Sequence, residues 1–370
     1  MQVLPELNAG GVERGTVEFA NYLVAKGHRS IVISHGGSQV ALLEQQGSEH
    51  IHFPVHKKSL LSLRHVRRLR CLLKQLEADI IHVRSRLPAW LVWLAIGKQP
   101  RSTRPALVST FHGLYSINRY SEIMGCGDQV IAISQCVADY ITNNYPRIAQ
   151  QKVSIVPRGV DVAVFNSHHQ PSRQWCDDFF SQYPQLVGQR LILLPGRLSA
   201  WKGHEQFMTM IKALKQRGVA CHGLIVGGPS PGKEQYEQAL KGKVLAENLG
   251  EDITFTGHRS DIENIYTLSS IVCNLSQHPE PFGRTVIEAL AMKIPVLAFN
   301  VGGPAESLQD CLPQGLVPVN DTSAAVAVIE QFLQTTPSIT LPDAYTLAAQ
   351  AEKTLAIYRQ AIDTNTIVKN

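Results

Sequence analysis

Ile271-Val-Cys-Asn-Leu-Ser-Gln-His-Pro-Glu-Pro-Phe-Gly-Arg-Thr-Val-Ile-Glu-Ala-Leu-Ala-Met292 contains a strand, a turn and a helix in immediate succession. Ile271–Leu275 is an apolar run of strand length. Pro281-Phe282-Gly283 supplies the turn, and Val286, Ile287, Ala289 and Leu290 crowd the helix that follows. A strand apolar on both faces and followed at once by a helix is the repeating unit of a parallel sheet covered by crossover helices.

The same unit recurs outward in both directions. Toward the N-terminus the expected strands are Gln2–Leu4, Ser30–Ser34, Ile80–Val83, Leu107–Thr110, Gln129–Ile133 and Val153–Val156. A helix over Val12–Ala25 presents Val12, Phe19, Ala20 and Leu23 on one face, with Gly27 at its C-cap. Ser134 is placed to cap the helix after the Gln129–Ile133 strand. The irregular stretch from Pro157 to Gly188 reads as linker plus the entry to a second domain. A second series follows, at Leu191–Leu194, Gly223–Val226, Ile253–Phe255, Ile271–Leu275 and Pro295–Ala298. With 370 residues, two doubly wound α/β domains are expected, over 1–160 and 161–343, with a terminal helix in 344–370. Ligands of such sheets bind at the carboxyl ends of the strands, so the loops there are the places to look.

Composition narrows the function classes. Apolar residues make up 44% and charged residues 18%, which excludes a disordered or fibrous chain. Seven scattered cysteines without a C-x-x-C pair give neither a zinc site nor a disulfide framework, and fit a reducing cytosol. No basic start followed by an apolar h-region marks a signal peptide. The longest apolar run, Pro88–Gly97, is about half the roughly 20 residues a spanning helix needs. The net charge of +5 divides into +9 for residues 1–160 and −4 for the remainder, so one half is expected to face an anionic partner.

Several strand-end loops carry chemistry. Backbone N–H groups near Phe282 and Gly283, at a helix start, suit an anion. Glu280 lies just before that turn. Glu288, set among Val286, Ile287, Ala289 and Leu290, needs either Arg284 one turn earlier or the hydroxyls of a ligand such as a sugar. Pro195-Gly196-Arg197-Leu198-Ser199-Ala200-Trp201-Lys202-Gly203 puts two cations in another such loop. Gly10 and Gly11 sit between the first strand and its helix. Thr110-Phe111-His112-Gly113 and Arg84-Ser85-Arg86 also follow strands. His112 suits proton traffic or a hydroxyl, and Arg84 and Arg86 suit an acceptor anion, with plain structural or surface roles as the alternatives.

The Glu-Pro-Phe-Gly…Glu-Ala frame, with Glu280 and Glu288 eight positions apart, resembles the E-x(7)-E motif of retaining GT-B glycosyltransferases of the family-4 group. The resemblance extends over essentially the whole chain. It implies a GT-B architecture of two Rossmann-like domains facing each other across a cleft, the first for the acceptor and the second for a nucleotide-sugar. It further implies that Arg197 and Lys202, after Gly196, hold the donor diphosphate, where fixed cations stabilise charge on the leaving group. Glu280 would hold donor-sugar hydroxyls and Glu288 the ribose, with Phe282, Gly283 and Arg284 beside them. Gly10 and Gly11 would approach the donor phosphates, His112 the reacting centre, and Gly228, His258 and Arg259 the nucleotide. The first strand is about three residues shorter than the family pattern. The terminal helix would pack back on the first domain.

Two absences shape the mechanism. There is no Asp-x-Asp triplet of the kind metal-dependent transferases of the other main fold use, so the expected enzyme needs no metal and no cofactor. There is also no G-x-G-x-x-G turn, which removes support from a nicotinamide dehydrogenase. The expected partners are a UDP- or GDP-sugar and a glycan or glycolipid acceptor, as in lipopolysaccharide or other envelope polysaccharide assembly. A GT-B epimerase acting on the nucleotide-sugar alone, or a nucleotide-binding module without turnover, are the rival readings.

Residues 57–74 contain seven basic side chains and no acidic one. Leu69, Leu72, Leu73 and Leu76 recur at helical spacing, with Ser62 as the expected cap. Lys57, Lys58, Arg64, Arg67 and Arg68 form either a solvated face or a patch for anionic lipid headgroups. Nucleic acid is not expected, because no aromatics interleave with the charges. A cytoplasmic protein, held peripherally at the inner face of the membrane, follows from this reading.

Overall fold

The structure, a computed structural model, describes residues 1–8, 10–57, 64–97 and 99–367, with side chains through 364. It divides into two compact units, one of Met1–Arg158 with Leu347–Asn370 and the other of Gly159–Thr346.

The first unit is built on seven strands: β1 (Gln2–Val3), β2 (Ile31–Ser34), β3 (Glu49–His52), β4 (Ile80–Val83), β5 (Ala106–Phe111), β6 (Gln129–Ala132) and β7 (Val153–Ile155). They run parallel in the order β3-β2-β1-β4-β5-β6-β7. The order reverses between β1 and β4, and the carboxyl ends at such a reversal are where sheets of this kind bind ligands. β2, β4 and β6 are buried along their whole length, as expected of strands covered on both faces. Phe19 and Leu23 of helix Gly11–Ala25 join Leu355, Tyr358 and Ala361 of helix Leu347–Ile367 over Ile80, Val108 and Ile131. Ser134 caps its helix by accepting from the Val137 N–H at 3.1 Å, and Gly27 follows helix Gly11–Ala25 at φ 79°. Ser62 lies outside the described residues.

A buried hydrogen-bonded relay also ties the terminal helix to this sheet. His82 Nδ1 sits 2.8 Å from Tyr358 Oη, and its Nε2 sits 2.6 Å from Thr110 Oγ1. Burial, then the nearby Arg84, holds this imidazole far below its ordinary pKa and therefore neutral.

The second unit has six parallel strands: β8 (Leu191–Pro195), β9 (His222–Val226), β10 (Ile253–Gly257), β11 (Ser269–Asn274), β12 (Val296–Phe299) and β13 (Leu316–Val317), in the order β10-β9-β8-β11-β12-β13. Its reversal falls between β8 and β11, which pair with Leu193 opposite Val272. The stretch read as linker holds a helix, Arg173–Gln182, capped by the Ser172 side chain at 3.2 Å from the Trp175 N–H. Trp175 and Phe179, one turn apart, stack with ring centroids 4.9 Å apart. The edge strands β3 and β13 also escape a reading by apolar runs: β3 is Glu-His-Ile-His and partly exposed, and β13 is two residues long.

Candidate functional site

The loops after β8 and β11, the strands flanking the reversal point, are joined by their backbones. Gln277 N–H donates to Trp201 O at 2.8 Å. Gly203, at φ 76°, lies against Leu275, and a Cβ there would collide with the Leu275 carbonyl. Only glycine meets both demands, the left-handed backbone and the close approach. The β8 loop is fixed on its other side by Gly196 N–H to Val226 O at 2.8 Å and Leu198 N–H to Gly228 O at 3.0 Å.

This frame brings two expected residues together. Lys202 Nζ forms an ion pair with Glu280, and the Ser276 hydroxyl donates to the same Glu280 carboxylate. Glu280 is 7% exposed, and its backbone carbonyl accepts from Gly303 N–H at 2.8 Å. Lys202 also lies over the exposed Trp201 ring, 4.5 Å from its centroid. The cation is thus held on its stem and charge-balanced while partly open to solvent. Arg197 is exposed on the same loop.

Helix Arg284–Ala291 begins at Gly283 in the left-handed conformation, and Phe282 beneath it is buried with Tyr345 at 6.3 Å between centroids. Glu288 is buried within this helix. It accepts from Tyr266 Oη–H at 3.2 Å, and Arg284 Nε stands 3.7 Å from its other oxygen. The helical partner is therefore present, at a separation longer than a tight hydrogen bond. Gly228 backs onto His258, which is exposed. Arg259 is committed to Asp261 at 2.9 Å, and Trp175 Nε1 donates to the same carboxylate at 2.6 Å. His204, buried just past Gly203, is held at a pKa of about 4 by burial.

In the first unit the reversal point gathers a different set. Gly10 is the N-cap residue of helix Gly11–Ala25, in the connection that follows β1. Arg84, after β4, is 3% exposed and donates from Nη1 to Gln2 Oε1 at 2.6 Å. Burial lowers its pKa to about 10. Arg158, after β7, donates to His112 Nδ1 at 2.9 Å. His112 is held far below its ordinary pKa by burial first and by Arg158 and Arg84 next. Arg86 is taken up by packing: it donates to Ser121 Oγ at 3.0 Å and lies 4.8 Å from the Tyr115 ring centroid. Arg158 was absent from the sequence expectations because it falls in the segment read as linker. A third arginine at a strand end of the first unit, after Arg84 and Arg86, was the available signal.

Helix Arg64–Leu76 buries Leu69 and Leu73 and exposes Arg64, Arg67 and Arg68. Lys57 is exposed, and Lys58 lies outside the described residues. Among the described residues no helix is long and apolar enough to cross a membrane, and no three His, Cys, Asp or Glu side chains cluster so as to hold a metal.

Comparison with known proteins adds two family matches, Glycosyltransferase Family 4 over residues 9–164 and Glycosyl transferases group 1 over residues 177–350. A glycosyltransferase structure from Rickettsia africae is 30% identical, superposes with a TM-score of 0.84, and is covered to 98% of each chain. The Anabaena protein HepE, solved with UDP and glucose, has a TM-score of 0.73 at 20% identity, over 99% of this chain and 98% of that one. Spore coat protein SA of Bacillus subtilis is 24% identical over 81% of this chain and 79% of its own length.

Proposed function

This chain belongs to the GT-B glycosyltransferases of the family-4 group, and from that premise we propose that it moves a sugar from a UDP-sugar to an acceptor hydroxyl with retention at the anomeric carbon. The observation that carries the donor assignment is the Lys202–Glu280–Ser276 cluster at the β8/β11 reversal point. Lys202 and the exposed Arg197 take the donor diphosphate, Arg with two parallel donors and Lys as a point charge. Glu280 exchanges part of its pairing with Lys202 for donor-sugar hydroxyls. Glu288 accepts from the ribose while Tyr266 and Arg284 fix its orientation.

The chemistry follows from where charge develops. As the bond from the anomeric carbon to the diphosphate oxygen breaks, the leaving diphosphate gains negative charge, and prepositioned cations stabilise it without reorganisation. The acceptor oxygen attacks from the same face, and its proton passes to the departing phosphate. No metal is needed in this scheme. UDP support comes from the HepE complex, which acts here as an analogy of fold.

The acceptor is placed on the N-terminal unit and is membrane-borne, as in envelope polysaccharide assembly. The exposed face of Arg64, Arg67 and Arg68 supports this, because each basic residue near an anionic surface gains about 1 kcal/mol. The enzyme then works at the inner face of the cytoplasmic membrane. A thermal-shift screen with UDP, GDP, ADP and their sugars, with and without EDTA, tests the donor assignment. Stabilisation by UDP ligands that survives EDTA is expected, and the anomeric configuration of the product by NMR tests retention. Stabilisation only by another nucleotide, or only with added metal, contradicts the proposal.

A further inference from the structure

Among the described residues Trp201 is the one exposed Phe, Tyr or Trp side chain, at 36% exposure. An indole ring is among the largest apolar surfaces a protein can bury, yet this one stands in a strand-end loop beside an ion pair. Its backbone is fixed across the reversal point, because its carbonyl accepts from Gln277 N–H at 2.8 Å. The turn Ala200–Lys202 is closed by Lys202 N–H to Ser199 O at 3.0 Å.

That turn is a 3-10 helix, in which successive side chains point about 120° apart. Neighbours there diverge, so Trp201 and Lys202 meet only because the lysine stem folds back over the ring. Lys202 Nζ lies 4.5 Å from the Trp201 ring centroid and at the same time pairs with Glu280. The ammonium group is therefore held between its neighbour's π-face and a carboxylate 78 positions away.

The donor scheme treats these two holds differently. Glu280 turns part of its pairing to sugar hydroxyls, so the ammonium group loses counter-charge as the diphosphate arrives. The indole face goes on attracting a cation whatever the carboxylate does. A lysine stem released from both holds would be free among many rotamers, and ordering it again opposes binding.

We propose that Trp201 is a positioning residue, whose ring keeps the Lys202 ammonium group aimed at the donor diphosphate while Glu280 exchanges partners. The proposal rests on the donor reading of Lys202. Trp201 acts through Lys202 alone and need not touch the nucleotide.

An effect that runs through one residue is isolated by a double-mutant cycle. UDP is titrated calorimetrically, in EDTA, into the wild-type chain, Trp201→Leu, Lys202→Ala and the double variant. Trp201→Leu keeps an apolar side chain and removes the π-face. UDP affinity is expected to fall roughly twofold to fivefold in Trp201→Leu, with no further loss when that change is added to Lys202→Ala. Trp201→Phe, whose ring holds a cation less strongly than indole, should fall between the wild type and Trp201→Leu. An equal loss in both backgrounds assigns the ring to the nucleotide itself or to the packing of the loop. Unchanged affinity in Trp201→Leu makes the contact idle. Either result overturns the proposal and leaves the donor reading standing. UDP affinity unaffected by Lys202→Ala sinks the donor reading, and this proposal with it.

Discussion

The two reversal points of the molecule solve the problem of holding positive charge in opposite ways. In the second unit Lys202 is partly open and already neutralised by Glu280. In the first, Arg84 and Arg158 are buried beside a histidine that is kept neutral. A paired, accessible cation can trade its carboxylate for an incoming phosphate at small cost, which suits a diphosphate that must also leave. A buried guanidinium is costly to desolvate and is fixed in place by its hydrogen bonds, here to Gln2 and His112. The same topology thus holds cations in two ways, and the difference lies in burial and partners rather than in fold.

The sharpest break in this comparison comes from the second unit. Lys202→Ala removes the cation proposed to face the leaving diphosphate, and transfer is expected to fall by roughly 100- to 1,000-fold in kcat. Glu280→Gln keeps the shape and loses the charge, and it should also lose most activity. Radiolabelled sugar transfer checks both, and full activity in either variant removes that residue from the site.

Gly203→Ala probes the frame under the pair. The side chain would need a left-handed backbone, which costs roughly 1–2 kcal/mol, and would strike the Leu275 carbonyl. Denaturant melts should show a loss of about 2 kcal/mol or more, with transfer abolished. An unchanged midpoint would mean that the two loops are not locked together.

In the first unit, Tyr358→Phe leaves His82 Nδ1 without its hydroxyl. The expected loss is about 1–3 kcal/mol, read as a lower denaturation midpoint. The histidines of that unit also set a pH dependence. His82 and His112 have folded pKa values well below 6.5, so on acidification the unfolded chain takes up protons that the folded chain refuses. Stability should therefore fall as pH drops below about 6.5. Hydrogen exchange at pH 7 and pH 5 should show protection falling around β4 and β5. Equal protection at both values contradicts the neutral assignment. The smallest effect is expected at the surface, where Arg67→Glu with Arg68→Glu should reduce sedimentation with anionic vesicles while leaving neutral vesicles unaffected.

The alternation of strand and helix was legible because buried parallel strands are apolar throughout, as at Ile80–Val83 and Leu191–Leu194. The loops of the second unit were legible because their glycines and prolines punctuate strand ends, and Lys202 and Glu280 fall on either side of the reversal. Helix Arg173–Gln182 was not, since its Trp175 and Phe179 stripe is hidden among Asp, Ser and Gln. The Ser276 and Tyr266 contacts were also invisible, because the first depends on how the loop after β11 folds back on itself and the second on how helices Ile262–Leu268 and Arg284–Ala291 pack. Arg158 illustrates the limit most clearly. Nothing local ties it to Arg84, 74 positions away; the pairing exists only once Gly15 lets both guanidinium groups approach one point.

The central claim is that Lys202, set against Glu280, receives the donor diphosphate. Calorimetric titration of UDP into the wild-type chain and into Lys202→Ala, both in EDTA, tests it most directly. The account predicts binding by the wild type and affinity roughly tenfold or more lower in the variant, with both proteins equally folded. Equal affinity in the two proteins would contradict it.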